Sequence, residues 1–316
     1  MKNILVIFTG GTIGSTESNG IINVDQQNNY KLISLFEQKY GKKAQFQTIE
    51  IMQVLSENIT ATHWETLCNY LFSLNFADYN GIIITHGSDT LAFTSALIGL
   101  MFAHSEIPIF LVASNKPLDS DDANGLDNFA LAVDHIAHNK ASGIFTAFDQ
   151  LYPATKVMPA DSCLDRFSSY GNINIDEFLK KSPIHRTPKL PIDRITFNNE
   201  ILMIYGYPNI NFSAFRLTDK THAVLYVPYH SGTACCDSNN PDQNLTDFIT
   251  KCKSHGVTVY ISNLKRTKSV YVTLDKLLKA GAIPLFDISE VCAYAKLMIA
   301  YNQNVVRVDE YLNSEM

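Results

Sequence analysis

The sequence predicts an α/β protein of two domains, a larger N-terminal domain on a parallel sheet and a smaller C-terminal α/β domain. Three observations support this prediction. Short apolar runs alternate with amphipathic stretches, which is typical of a parallel sheet covered by helices. The chain of 316 residues is long enough for two domains. A proline-rich, basic stretch at 180–194 interrupts the alternation near the middle of the chain.

In the first half, strands and helices are predicted to alternate. The strands are predicted at 3–8, 46–54, 81–85 and 107–113. The helices are predicted at 30–40, 62–76, 90–104 and 125–138. This alternation predicts parallel strands in a flavodoxin-like order, with helices on both faces of the sheet. Sheets of this kind place their ligands at the carboxyl ends of the strands, so we expect a site there.

The proline-rich stretch is interpreted as an interdomain linker. It gives a catalytic domain at 1–184, a linker at 185–198 and a C-terminal domain at 199–316. In the C-terminal part, strands are predicted at 201–206, 222–229, 257–262 and 282–287, and helices at 241–255, 273–280 and 288–302.

Composition and charge argue against several functional classes. Hydrophobic residues make up 46% and charged residues 18%, an ordinary globular balance. The formal net charge of −6 provides no basic surface for nucleic acid or for an anionic membrane. The apolar run after Met1 is too short for a signal-peptide core, and no apolar stretch reaches a membrane-spanning length. Six cysteines without a CxxC pair predict reduced thiols, so we expect a cytoplasmic protein.

The first predicted strand ends in Thr9-Gly10-Gly11-Thr12, and two glycines in a row require an explanation. The spacing of a phosphate loop is missing, and no lysine follows to neutralise a phosphate. Alternatively, the glycines would let a substrate carbonyl approach the main chain. Thr12 would then be a hydroxyl nucleophile and the Gly11 N–H an oxyanion donor. A simple turn at the end of a strand remains the other alternative.

A second polar cluster, in the stretch at 84–93, follows another predicted strand. Ser88 and Thr90 provide hydroxyls, Asp89 a carboxylate, and Gly87 room for a close backbone approach. A helix N-cap would account for one of these side chains. It does not account for hydroxyl and carboxylate clusters at the ends of two strands, so the pair favours an active site at one edge of the sheet.

Three other candidates are weaker. His86 is too close in sequence to Ser88 for the geometry of a catalytic triad, so a histidine bonded to the backbone is predicted. The acidic stretch at 119–125 lacks the ligand pattern of a calcium loop. His135 and His138 share a helix face without a third ligand. We therefore predict neither a metal site nor a cofactor.

The motifs TGGTIG at 9–14 and HGSDT at 86–90 together resemble the paired signatures of the bacterial-type L-asparaginase family, in its cytoplasmic, type I-like branch. The resemblance extends to the segments at 112–133, 153–170 and 288–302. It implies hydrolysis of L-asparagine to L-aspartate and ammonia through an acyl-enzyme. It also implies a homodimer or homotetramer whose active sites are shared between subunits.

The resemblance also implies individual roles. Thr12 would be the nucleophile, and Ser88, Asp89 and Lys156 would form the second catalytic group, with the lysine as cation and proton relay. Ser56 would bind the substrate α-carboxylate, and Asp89 the α-ammonium. The implied substrate-binding set is Gly11, Ser56, Glu57, Gly87, Ser88, Asp89, Ser114 and Glu290, the last reaching the site of a neighbouring subunit.

The sequence departs from the family pattern in three places. HGSDT replaces HGTDT, which keeps the hydroxyl, and Leu55 stands where type I members usually have Asp. In the loop after the first motif the family has a tyrosine that assists the nucleophile. Here Ile21 and Ile22 occupy its expected place, and Tyr30 is the nearest tyrosine.

Several alternatives to an asparaginase therefore stay open. They are a glutaminase or another amidase, and a catalytically weak homologue that binds amino acids. The archaeal tRNA-dependent amidotransferase subunit shares the two motifs but carries an extra domain ahead of them. It is not expected here, because the first motif begins at Thr9.

Overall fold

The computed structural model describes residues 1–24, 26–138, 140–181, 192, 194–303, 305 and 308–314. The chain divides into two compact units, Met1–Ile195 and Thr196–Glu315. The predicted α/β class with two domains is confirmed. The exact position of the linker stays a prediction, because residues 185–191 and 193 lie outside the described part.

The first unit contains the eight strands β1 (Lys2–Gly10), β2 (Ser15–Ser18), β3 (Ile21–Val24), β4 (Ala44–Val54), β5 (Gly81–Thr85), β6 (Pro108–Val112), β7 (Gly143–Phe148) and β8 (Gln150–Pro153), counted over the described residues. Its helices, on the same basis, are α1 (Gln26–Tyr40), α2 (Ala61–Ser73), α3 (Leu91–Met101), α4 (Gly125–Ala137) and α5 (Ile175–Lys181). The four predicted strands and four predicted helices are all present, with shifted ends.

Six strands form one sheet in the order β4-β1-β5-β6-β7-β8. All neighbours are parallel except β8, which runs antiparallel to β7. The order β4-β1-β5-β6-β7 is that of a flavodoxin-like sheet, as predicted. The strands β2 and β3 form a separate antiparallel hairpin directly after the first motif.

The core of this unit comes from strands that are apolar on both faces. The side chains of β5 and β6 are all buried, as expected for central parallel strands. On one face, Phe36 of α1 contacts Phe129 of α4 edge to face, with ring centres 5.2 Å apart. Phe36 also contacts Phe46 of β4 edge to face, with ring centres 5.7 Å apart, so the aromatic cluster packs these helices against the sheet.

The second unit, over its described residues, has the strands β9 (Glu200–Tyr205), β10 (Thr221–Val227), β11 (Thr258–Leu264) and β12 (Ile283–Phe286) and the helices α6 (Leu245–Ser254), α7 (Val272–Ala280), α8 (Glu290–Asn302) and α9 (Val308–Asn313). Its sheet is entirely parallel, in the order β12-β11-β10-β9. All four strands were predicted. Across the described part of the chain, no helix is both long and apolar enough to span a bilayer.

Candidate active site

Three loops meet at the carboxyl edge of the first sheet. They follow β1, β4 and β5, and they contain the residues 10–14, 55–58 and 86–90. Because these three strands are parallel neighbours in the sheet, their carboxyl ends lie side by side. The structure therefore brings together the two predicted motifs and adds the loop that carries Ser56.

The glycines are required because the loops contact each other through their backbones. Gly11 has a φ of +77°, and a Cβ added there would lie 2.3 Å from the Gly87 nitrogen. A Cβ added to Gly87 would lie 2.5 Å from the Ser56 hydroxyl oxygen. The glycine pair of the first motif thus allows close approach of a neighbouring loop of the same chain, and this approach places Thr12 beside the second motif.

Substituting Gly11 with alanine tests this contact. We expect Gly11→Ala to destabilise the protein by about 2 kcal/mol or more, because it adds a backbone clash to the ~1–3 kcal/mol cost of a positive φ with an extended ψ of 178°, a conformation that glycine almost alone adopts. For a unit of this size the melting temperature should fall by about 4 °C or more. Gly20→Ala is the matched control, since Gly20 has a φ of +75° but nothing within 4 Å of an added Cβ. Equal losses in both variants would show that the contact is unimportant.

Ser56 and Asp89 are hydrogen-bonded to each other across two loops. The Asp89 N–H donates to the Ser56 hydroxyl at 3.2 Å, and that hydroxyl lies 3.3 Å from the Asp89 carboxylate, to which it donates. The Thr90 hydroxyl donates to the Ser56 carbonyl at 2.9 Å. Ser56 is buried, whereas Asp89 is exposed. The carboxylate is therefore positioned by a buried neighbour and remains accessible to a ligand.

Helix capping does not explain the second polar cluster. Helix α3 begins after Thr90, and it has no side-chain hydrogen bond at its N-cap. The hydroxyl of Thr90 is used by the Ser56 loop instead. This arrangement favours the functional interpretation of the cluster over the capping alternative.

The Gly11 N–H, predicted as an oxyanion donor, already has an acceptor within the chain. It donates to the Val54 carbonyl at 3.0 Å, because the loop after β1 continues the pairing with β4. A 3₁₀ turn at Thr12–Gly14 follows directly. The first N–H groups of such a turn have no acceptor within it, which makes the Thr12 N–H an alternative candidate. The role of the Gly11 N–H stays a prediction, and its bond to Val54 argues against it.

Lys156 is buried, with only 7% of its surface exposed. Its backbone is fixed by two hydrogen bonds, from its N–H to the Pro153 carbonyl at 2.9 Å and from the Tyr170 N–H to its own carbonyl at 2.7 Å. The loop that follows it lines a cavity of about 250 Å³ together with Ser88 and Asp89. The other lining residues are Asn115, Phe148, Pro159, Ala160, Asp161, Ser162, Asp165 and Phe167.

Other residues predicted to bind substrate are placed differently. Ser114 is fully buried, and its hydroxyl donates to the Lys116 carbonyl at 2.5 Å. Glu57 is exposed in the short turn that begins at Ser56. Their roles in substrate binding stay predictions.

Glu290 lies in the second unit, at the start of α8. Its carboxylate accepts a hydrogen bond from the Asn263 side-chain amide at 2.9 Å. Asn263 is not among the residues predicted from the sequence. Its signal is a polar residue at the end of a buried strand, in a left-handed conformation (φ +57°) that asparagine tolerates.

The hairpin after the first motif carries Ile21 and Ile22 at its exposed tip. The side chain of Tyr30 lies outside the described residues, so its predicted part in catalysis stays a prediction. His86 is buried and bonded to the backbone, as predicted, with its Nδ1 at 2.7 Å from the Gly87 carbonyl oxygen.

The helical histidines also bond to the backbone. His135 and His138 bond to the carbonyls of Ala141 and Asp134. Within the part of the chain that the structure describes, no three His, Cys, Asp or Glu side chains converge as metal ligands would.

The sequence matches the family model described as "Asparaginase, N-terminal" over residues 3–189. Among characterised relatives, L-asparaginase from Thermococcus kodakarensis is 25% identical over 321 residues, which cover 94% of this chain and 92% of the relative. A glutamyl-tRNA(Gln) amidotransferase subunit from Pyrococcus abyssi is 24% identical over 338 residues, covering 98% of this chain and 74% of the relative.

Solved structures show the same fold. The thermostable L-asparaginase from Thermococcus kodakarensis superposes with a TM-score of 0.77 at 23% identity, covering 98% of this chain and 96% of that one. L-asparaginase I from Vibrio cholerae superposes with a TM-score of 0.79 at 23% identity, covering 100% of this chain and 98% of that one.

Proposed function

This chain belongs to the asparaginase family of amidohydrolases, and from that premise we propose that it hydrolyses L-asparagine to L-aspartate and ammonia through an acyl-enzyme on Thr12. One observation carries the proposal. The loop of Thr12 and the loop of Ser88 and Asp89 lie in backbone contact at one edge of the sheet, with the buried Ser56 bonded to Asp89.

The proposed reaction has two steps. The Thr12 hydroxyl oxygen attacks the carboxamide carbon, the C–N bond breaks, and ammonia leaves with the proton that the hydroxyl loses. Water then attacks the resulting ester, releasing aspartate and restoring the hydroxyl. In each step the negative charge on the carbonyl oxygen needs N–H donors, for which we propose the Thr12 and Ser88 main-chain groups. Lys156 supplies the positive charge and proton relay beside this centre.

The charges of the free amino acid fit the positioned groups. The exposed carboxylate of Asp89 would pair with the α-ammonium group. The Ser56 hydroxyl would donate to the α-carboxylate, which requires its proton to turn away from Asp89. Glu290, held by Asn263, would complete the site from a neighbouring subunit.

We also propose a cytoplasmic homodimer or homotetramer. One observation supports the location. All six cysteines are free thiols, as is usual in a reducing compartment. The oligomer is proposed from the resemblance to the family, in which active sites are shared between subunits.

A glutamine-directed amidase is the second candidate. The amidotransferase subunit from Pyrococcus abyssi is nearly as similar to this chain as the asparaginase from Thermococcus kodakarensis, at 24% against 25% identity. The third candidate is a homologue that binds amino acids without hydrolysing them.

Ammonia release from L-asparagine, D-asparagine and L-glutamine separates these candidates. We expect the highest kcat/KM with L-asparagine, as the similarity of this chain to the L-asparaginase from Thermococcus kodakarensis suggests. Higher kcat/KM with L-glutamine would replace the proposal with the glutaminase. A rise in melting temperature with aspartate, without any ammonia release, would identify a binding protein.

A further inference from the structure

His86 makes an unusual contact with the residue that follows it. Its side chain is buried, at 1% exposure, and its Nδ1 lies 2.7 Å from the Gly87 carbonyl oxygen. A carbonyl oxygen can only accept a hydrogen bond, so the ring proton is on Nδ1. The other ring nitrogen, Nε2, is also buried and has no hydrogen-bond partner among the described residues.

This contact controls the direction of the next N–H group. The Gly87 carbonyl and the Ser88 N–H belong to one planar trans peptide, so they point in opposite directions. Glycine has no side chain to restrict its backbone dihedrals, so this peptide would otherwise rotate easily. The Gly11 backbone packs against the nitrogen and Cα of Gly87, and so against the peptide that precedes Gly87. The peptide that follows Gly87 is held by the imidazole through its carbonyl.

We propose that His86 is a positioning residue, whose Nδ1–H holds the Gly87 carbonyl so that the Ser88 N–H points at the oxygen of the carboxamide attacked by Thr12. This inference rests on the proposed function. His86 itself contacts neither the substrate nor the nucleophile in this role, and it acts only through the main chain.

The state of the imidazole suits such a role. Burial lowers the pKa of His86 to about 4, more than the Gly87 carbonyl and the Asp89 carboxylate raise it. The ring is therefore neutral at pH 7, with its single proton on Nδ1. A charged ring would also carry a proton on Nε2, where no described residue accepts it. The ring therefore keeps its proton on Nδ1, and with it the hydrogen bond to the Gly87 carbonyl, at all pH values near neutrality.

Two variants with the same branching at Cγ separate positioning from packing. The amide of His86→Asn places an N–H close to the position of Nδ1, whereas His86→Leu has the same branching without a donor. We expect kcat for L-asparagine to fall on the order of 10²-fold in His86→Leu, as when one oxyanion donor is lost. His86→Asn should keep kcat within about tenfold of the wild type, with KM changed little in both.

Both variants should lower the melting temperature, His86→Asn because it leaves part of the ring volume empty and His86→Leu because it leaves the Gly87 carbonyl without its donor. Equal kcat values for the two folded variants would overturn the proposal and leave His86 a packing residue.

If the wild type releases no ammonia from L-asparagine, the proposed function itself fails. The inference is then tested by the affinity for aspartate β-semialdehyde. Its adduct with the Thr12 hydroxyl carries an oxygen where the oxygen of the attacked carboxamide would lie. Weaker binding in His86→Leu than in His86→Asn would support positioning, and equal binding would refute it.

Discussion

Thr12→Ala is expected to lower kcat for L-asparagine by three orders of magnitude or more while the protein stays folded. The substitution removes the atom that forms the covalent bond to the substrate, so the reaction path is lost. Thr12 is half-buried, whereas the next two residues of its turn, Ile13 and Gly14, are buried, so its own side chain contributes less to packing than theirs. The effect is measured as ammonia release under saturating L-asparagine, together with the melting temperature.

Thr12→Ser is the matched control, because it keeps the hydroxyl and loses one methyl group. We expect it to retain measurable turnover. If Thr12→Ala kept more than about a tenth of the wild-type kcat, a loss of only about 1.4 kcal/mol, Thr12 would not be the nucleophile.

Lys156→Met is expected to lower kcat on the order of 10²-fold, as the loss of a general acid–base group usually does. Methionine keeps an unbranched apolar stem at this buried position but removes the charge and the transferable protons. The measurement is kcat and KM for L-asparagine at neutral pH.

Lys39→Met provides the comparison, since Lys39 is an exposed lysine of α1 that pairs with Asp127 at 2.7 Å. Turnover should be unchanged in this control. An effect of Lys156→Met mainly on KM would make Lys156 a substrate-binding residue and remove it from the proton relay.

The strands that the sequence failed to predict have a clear physical explanation. The strand β7 contains Thr146 inside an apolar run, and this residue is fully buried. Its hydroxyl donates to Ser95 of α3 at 2.8 Å, so a tertiary contact satisfies the polar group. The hairpin of β2 and β3 is short and exposed, so it lacks the apolar alternation that reveals a strand.

The α/β class, the main strands and helices, and the residue types of the site could all be predicted from the sequence. These features depend on local patterns, such as apolar runs that end in glycine and hydroxyl residues. The resemblance to a family adds two predicted roles, Thr12 as nucleophile and Lys156 as cation and proton relay beside Ser88 and Asp89.

Which polar groups already have a hydrogen-bond partner is seen in the folded chain and not in its sequence. The Gly11 N–H is used by Val54, and the Ser114 hydroxyl by the Lys116 carbonyl. The Ser56 hydroxyl meets Asp89, although 33 positions separate them in the sequence. Such bonds depend on which strands lie next to each other, since a parallel sheet brings together loops that are distant in the chain. Local sequence patterns carry information on where a strand ends, but the acceptor of each N–H or hydroxyl is set by the order of strands in the sheet.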